Sequence, residues 1–211
     1  MKLETRRRGF TLIELLIVLA LFGLATSLIT ASYVSFERNQ RVKTAALTLK
    51  NDIRLAQNYA STGYKGTGTD ANVCGIYTLE GWYVKLTANP GSNASYRIAG
   101  VCNQGSLVNP PTFAPKVVNL PQGVTFSSID INYDFASGLG SRPAGTQDVY
   151  ILFETVTNRV YICALTGDPD FTNRATTCET QRTTAIIATG SSGNNYKIAI
   201  EAGSGSVYEK K

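Results

Sequence analysis

Histidine is absent from this 211-residue chain, and that gap removes a broad range of chemistry. Ser-His-Asp and Cys-His nucleophile systems, histidine-containing zinc sites and the H-E-x-x-H protease motif all require an imidazole. Cysteine is scarce as well. Cys74, Cys102, Cys163 and Cys178 lie 28, 61 and 15 residues apart, too far for the C-x-x-C spacing of a redox or zinc pair. Charged residues make up only 17% of the chain. Residues 1–9 hold four Lys/Arg and one Asp/Glu, so the formal charge of +5 falls to +2 without them, and residues 61–211 carry eleven of each sign. A neutral C-terminal part offers no clustered positive potential for a phosphate backbone. Neither a histidine-dependent enzyme nor a broadly basic nucleic-acid binder fits, and no catalytic residue is expected.

What the chain does have is a long apolar run near its start. From Phe10 to Ala31 nearly every residue is apolar or small, and 22 helical residues reach about 33 Å, the thickness of a bilayer core. One carboxylate, Glu14, interrupts it. An ionised acid inside a membrane costs about 2.5–3.5 kcal/mol, so Glu14 is expected to have a function and a partner. Cleavage after Gly9 would create an α-amino group at Phe10, four residues from Glu14 on one helical face and within reach of a neighbouring molecule's Glu14. An ordinary secretory signal would share the basic start, Lys2 and Arg6 to Arg8, and Ala25-Thr26-Ser27 has the small residues of a cleavage site. The apolar stretch is too long for that, and its acid stands near the beginning. The four basic residues before the run place the N-terminus in the cytoplasm.

Arg6-Arg7-Arg8-Gly9-Phe10-Thr11-Leu12-Ile13-Glu14 resembles the processing site of type IV pilins and type II secretion pseudopilins. The resemblance implies a prepilin peptidase that cuts between Gly9 and Phe10 and N-methylates Phe10, an assembly role for Glu14, and a helix retained as filament core. It also implies an inner-membrane assembly platform and sibling pilins or pseudopilins as partners. The expected location is the inner membrane, single-pass, with the head periplasmic or extracellular. The corresponding division is a leader over 1–9, a transmembrane or filament-core helix over 10–31, an amphipathic stalk over 32–62 and a disulfide-bonded head over 63–211.

Beyond Ser32 the pattern turns amphipathic. Val42, Ala45, Ala46, Leu49, Ile53, Ala56 and Ala60 recur at spacings of three and four and predict one buried stripe, with Arg38, Lys43, Lys50 and Arg54 on the other face. Ser61-Thr62-Gly63 supplies a stop, so a single helix from Phe10 to about Ala60 is expected. After Gly63 the chain reads as strands: Gly75–Leu79, Trp82–Leu86, Tyr96–Ala99, Val117–Leu120, Val124–Ile129, Val149–Phe153, Arg159–Cys163, Ala185–Thr189, Tyr196–Ile200 and Val207-Tyr208. Glu80-Gly81, Asn89-Pro90-Gly91, Pro121-Gln122-Gly123, Thr157-Asn158 and Gly193-Asn194-Asn195 are read as hairpin turns. Gly63–Val73 and Ala136–Gln147 are read as surface loops. The expected class is α+β, a long helix on an antiparallel sheet. This layout resembles the minor pseudopilins often labelled GspH/FimT, in the helix stripe Ala46–Ala56, in Leu120-Pro121-Gln122-Gly123-Val124-Thr125-Phe126, and in Ile198-Ala199-Ile200 with Gly205-Ser206-Val207.

All four cysteines lie on the translocated side, where disulfides persist. Three pairings are open, and Cys74–Cys102 with Cys163–Cys178 is favoured because each would staple a neighbouring hairpin or loop. Asp168, Asp170, Thr172, Thr176 and Glu179 occupy the donor positions of a twelve-residue calcium loop. Asn173 stands where that loop needs glycine, and a solvated loop is the preferred reading, with calcium the alternative. Gly66-Thr67-Gly68-Thr69-Asp70-Ala71 has the letters of a dinucleotide loop but follows a helix, so it reads as a plain loop. Asn93-Ala94-Ser95 matches a glycosylation acceptor. Tyr64, Tyr77, Trp82, Tyr83 and Tyr96 near Lys65, Lys85 and Arg97 raise a second function, a head that stacks on single-stranded DNA in transformation or adheres to surfaces, although such rings more often fill a sheet face.

Overall fold

The computed structural model describes residues 9–66, 74, 77–87, 94–103, 112–132, 141–143, 148–157, 159–165, 184–191, 194–201 and 204–210. The chain divides into two compact units, Met1–Gln40 and Arg41–Lys211. Among the described residues it opens with one helix, α1 (Leu12–Thr62), followed by ten strands: β1 (Thr78–Leu86), β2 (Ser95–Asn103), β3 (Thr112–Asn119), β4 (Thr125–Asn132), β5 (Ser141–Pro143), β6 (Asp148–Glu154), β7 (Val160–Leu165), β8 (Thr184–Ser191), β9 (Asn194–Glu201) and β10 (Val207–Lys210). The arrangement is α+β, as expected. The strands form two antiparallel five-stranded sheets, ordered β3-β2-β1-β6-β7 and β10-β9-β8-β4-β5, rather than one.

In the N-terminal unit α1 exposes its apolar side chains throughout, from Leu12 through Phe22 and Leu28 to Phe36, and Phe10 just before it is 82% exposed. Three hydroxyls within this stretch are satisfied internally. Thr26 Oγ1 donates to the Phe22 carbonyl, Ser27 Oγ to Leu24 at 2.8 Å and Thr30 Oγ1 to Thr26 at 2.8 Å. Such back-bonding lets a hydroxyl sit in an apolar medium without an open hydrogen bond.

In the second unit the predicted stripe is the buried one. Val42, Ala45, Ala46, Leu49, Ile53, Ala56 and Ala60 all belong to the core. They pack with Trp82, Val84 and Leu86 of β1, Ile151 and Phe153 of β6, and Ile162 of β7. Phe126 of β4, Ile198 and Ile200 of β9, and Val207 of β10 join the same core. Both sheets thus share one core with the helix, and the four alanines let the backbones approach closely. Alternation along β1 sends Tyr83 to the opposite face. There it joins Ala99, Val101, Tyr150, Leu152, Tyr161 and Cys163 in a second buried cluster. Burial on both faces explains why Val149-Tyr150-Ile151-Leu152-Phe153 is apolar without a break.

The helix ends where Ser61-Thr62-Gly63 predicted. Gly63 adopts φ +67°, its N–H donates to Ala60 O at 3.2 Å, and the Tyr64 N–H donates to Tyr59 O at 3.0 Å. These two bonds and the positive φ make a Schellman motif, which satisfies carbonyls that a helix end would otherwise leave open. Its apolar contact is the stack of Tyr59 on Tyr64, centroids 4.5 Å apart. Trp82 closes the cluster, 4.8 Å from Tyr59, and its Nε1 donates to Tyr64 O at 2.8 Å.

Three expectations need correction. Glu80-Gly81 is not a hairpin: β1 runs straight through it, with a pairing irregularity between Leu79 and Gly81. A Cβ at Gly81 would lie 2.3 Å from the Phe153 carbonyl oxygen, so the glycine marks a close backbone approach at a bulge. Pro121-Gln122-Gly123 does turn, with Val124 N–H donating to Pro121 O at 3.0 Å and Gly123 at φ +81°. However, β3 and β4 lie in different sheets, so this turn is a crossover. Finally, the Ala136–Gln147 segment contributes a short strand, β5, paired with β4.

Replacing Gly63 with Ala forces a side chain into the left-handed region and should destabilise the folded chain by about 1 kcal/mol. Thermal unfolding followed by fluorescence of Trp82, the sole tryptophan, measures it, and an unchanged midpoint would contradict this account of the helix stop.

Candidate functional site

The N-terminal segment has a defined local geometry. Gly9, Phe10 and Thr11 precede the helix, and the Glu14 N–H donates to Thr11 Oγ1 at 3.3 Å, while Leu15 N–H donates to Thr11 O at 3.2 Å. Thr11 is therefore the N-cap and Glu14 the third helical residue. That is the spacing of a capping box, in which the acid can return to the cap's N–H. Glu14 also lies in the first turn, where the helix dipole favours a negative charge. This arrangement corrects the sequence-based picture in one respect: Phe10 stands before the cap, so it does not share a helical face with Glu14. The Thr11-x-x-Glu14 spacing could have revealed the cap.

A second polar site anchors α1 within the Arg41–Lys211 unit. Asp52 is only 6% exposed and lies between Leu49 and Ile53 in the buried stripe. Tyr96 Oη of β2 donates to its Oδ2 at 2.6 Å, and Lys116 Nζ of β3 donates to its Oδ1 at 2.8 Å. A buried carboxylate is tolerable only with such partners. At the opposite edge β10 is clasped to the helix. Lys50 Nζ donates to Glu209 at 3.1 Å, and Arg54 Nη2 to Val207 O at 3.0 Å. Lys50 and Arg54, expected on the face away from the buried stripe, thus hold the C-terminal strand.

Burial, then the Asp52 hydrogen bond, raise the Tyr96 hydroxyl well above its ordinary value near 10. A hydrogen bond to Glu209, then burial, push Tyr196 up to about 12. Hydrogen bonds from Tyr196 and Lys50 in turn lower Glu209.

The rings proposed for DNA stacking are mostly unavailable. Trp82, Tyr83 and Tyr96 are buried, and Tyr64 packs against the core, leaving Tyr77 exposed. Among the neighbouring cations, Lys65 donates to Tyr77 O at 3.0 Å. Lys85 is bound to Asp148 at 3.1 Å and sits over the Tyr150 ring. The rings fill sheet faces instead. Cys74 is bonded to Cys102, with Cα atoms 5.6 Å apart, and Cys163 is also disulfide-bonded. Cys178, expected as its partner, lies outside the described residues. So do the calcium candidates Asp168, Asp170 and Glu179, the leader residues 1–8, Asn93 of the glycosylation pattern, and most of the Gly66–Ala71 loop.

Residues 5–30 match the family defined as the prokaryotic N-terminal methylation motif. The chain therefore carries the type IV pilin and pseudopilin signature, at the segment that holds Gly9, Phe10 and Glu14. No curated protein and no solved structure matches the chain significantly.

Folded Tyr96 and Tyr196 keep their protons at a pH where unfolded tyrosines, near 10, release them. Stability is therefore complete below pH 10 and falls as pH rises from 10 toward 12. Tyr96→Phe should cost about 2 kcal/mol at pH 7 and make the alkaline decline shallower in denaturant titrations across pH 8–12. A slope equal to that of the parent chain would contradict the Tyr96–Asp52 assignment.

Proposed function

We propose that this chain is a minor pilin or pseudopilin, a structural subunit of a type II secretion pseudopilus or type IV pilus, of the GspH/FimT type. The observation that carries the reading is the coincidence of the methylation motif over residues 5–30 with an apolar first half of α1 whose large side chains its own chain leaves exposed. Such a surface needs lipid or other helices around it. In this reading prepilin peptidase cuts between Gly9 and Phe10 and methylates the new Phe10 amine. The helix holds the subunit in the inner membrane with its N-terminus cytoplasmic. The assembly platform then transfers the subunit from bilayer to fibre.

Glu14 has two candidate partners, and they act in different states. Before assembly it stands in the first turn of its own capped helix, where the helix dipole favours a negative charge. During assembly the Phe10 amine of an adjacent subunit offers a full positive charge, a stronger partner than a neutral N–H in a low-dielectric setting. The exchange would draw the next subunit into register. No covalent chemistry is assigned to the head.

Glutamine preserves a capping box but removes the charge, so it separates the two roles. Glu14→Val and Glu14→Gln should both be cleaved normally and both fail to enter filaments, as measured by immunoblotting of sheared fibres beside membrane fractions. Efficient incorporation of Glu14→Gln would contradict the charge-pair mechanism and leave capping as the role of the acid.

A further inference from the structure

Within the Met1–Gln40 unit, the uncharged stretch of α1 is longer than a bilayer needs. No residue between Glu14 and Glu37 carries a charge. Those 22 residues belong to one continuous helix and rise about 33 Å, against about 30 Å for a hydrocarbon core. Apolar length alone therefore lets the helix sit at several depths.

The far end of the stretch holds the groups that decide among them. Tyr33 and Phe36 stand one turn apart on one face of the helix and are 65% and 60% exposed. A tyrosine joins an apolar ring to a hydroxyl that bonds to water, so it is stable at the boundary of a bilayer and not at its centre. Two residues beyond Phe36 the Arg38 side chain is exposed as well, a guanidinium suited to lipid phosphate. Glu37, the acid between them, already interacts within the chain. Deeper in the stretch, Thr26, Ser27 and Thr30 bond back onto the helix and so tolerate hydrocarbon.

The spacing to the other end is a second, independent observation. Tyr33 follows Glu14 by nineteen residues, about 29 Å along the helix axis, so a ring at one boundary of the core sets the carboxylate at the other. We propose that Tyr33, Phe36 and Arg38 form an interfacial anchor in the phospholipid headgroup layer on the head side of the bilayer, which fixes the depth of α1 and holds Glu14 at the opposite boundary. The occupant is lipid rather than a neighbouring helix, because two rings, a phenol and a guanidinium match a layer that is partly apolar, wet and rich in phosphate. Gly9 and Phe10, which precede the helix, then stand outside the hydrocarbon, where a peptidase can reach the bond between them. The anchor rests on the proposed membrane-inserted state of the subunit.

The test places single cysteines in the full chain, reconstituted in vesicles of phosphatidylethanolamine and phosphatidylglycerol, and measures their reaction with a charged maleimide present on both sides of the membrane. Ile13→Cys and Ser35→Cys should react about 10-fold faster than Phe22→Cys, which lies at mid-depth. Tyr33→Leu with Phe36→Leu extends the hydrocarbon-compatible surface toward the head, so the helix should slide toward the cytoplasm. The ratio of Leu16→Cys to Ser35→Cys reactivity should then rise about 10-fold, whereas Tyr33→Trp, which keeps the interfacial preference, should leave it as in the parent. An unchanged ratio in the leucine variant overturns the anchor and leaves the membrane helix standing. Reaction of Phe22→Cys as fast as Ser35→Cys would mean that the helix never entered the bilayer, and would overturn the filament reading together with the anchor.

Discussion

An apolar helix surface that its own chain never covers is the constraint from which the rest follows. The large apolar side chains from Phe10 to Phe36 are exposed on a helix in which Thr26, Ser27 and Thr30 bond back onto the backbone. Such a helix is stable in hydrocarbon and insoluble in water. Every environment that suits it is made of lipid or of other helices, and a filament core supplies the second. The acid at position 14 is costly in either medium. Its place in the first turn of a capped helix sets it where the helix dipole favours a negative charge.

The Arg41–Lys211 unit is fixed to the second half of the same helix by different means. Small residues bring helix and sheets together, and Asp52 then sets the register through Tyr96 and Lys116. The Schellman turn at Gly63 and the Tyr59–Tyr64–Trp82 cluster define where the helix stops. Lys50 and Arg54 secure β10 at the opposite edge. These contacts tie α1 to both sheets within this unit. A rigid helix–sheet connection is what a subunit needs if its helix is packed among others while its head stays folded.

Much of this was legible in the residues. The buried stripe from Val42 to Ala60 followed from period alone, because a helix at a sheet surface exposes no other pattern. Glu80-Gly81 misled because a glycine beside an acid has turn composition, whereas here the glycine admits the Phe153 carbonyl. The division into two sheets was invisible, since Pro121-Gln122-Gly123 makes the same local turn whether its strands pair or part. Asp52 escaped notice for a related reason: one acid within an amphipathic helix resembles a solvated residue until Tyr96, 44 positions later, is known to face it. The rings near Lys65 and Lys85 could stack on bases or fill a sheet, and only the strand register decided for the sheet. At the N-terminus, the Thr11 cap changes what the acid does alone without changing the chemistry it offers to an incoming amine.

Mass spectrometry of the native chain's N-terminus tests the central claim most directly, because it reads cleavage and methylation together. The account predicts a mature polypeptide that begins with N-methylated Phe10. A chain that begins at Met1, or at any residue beyond Ala31, would contradict it.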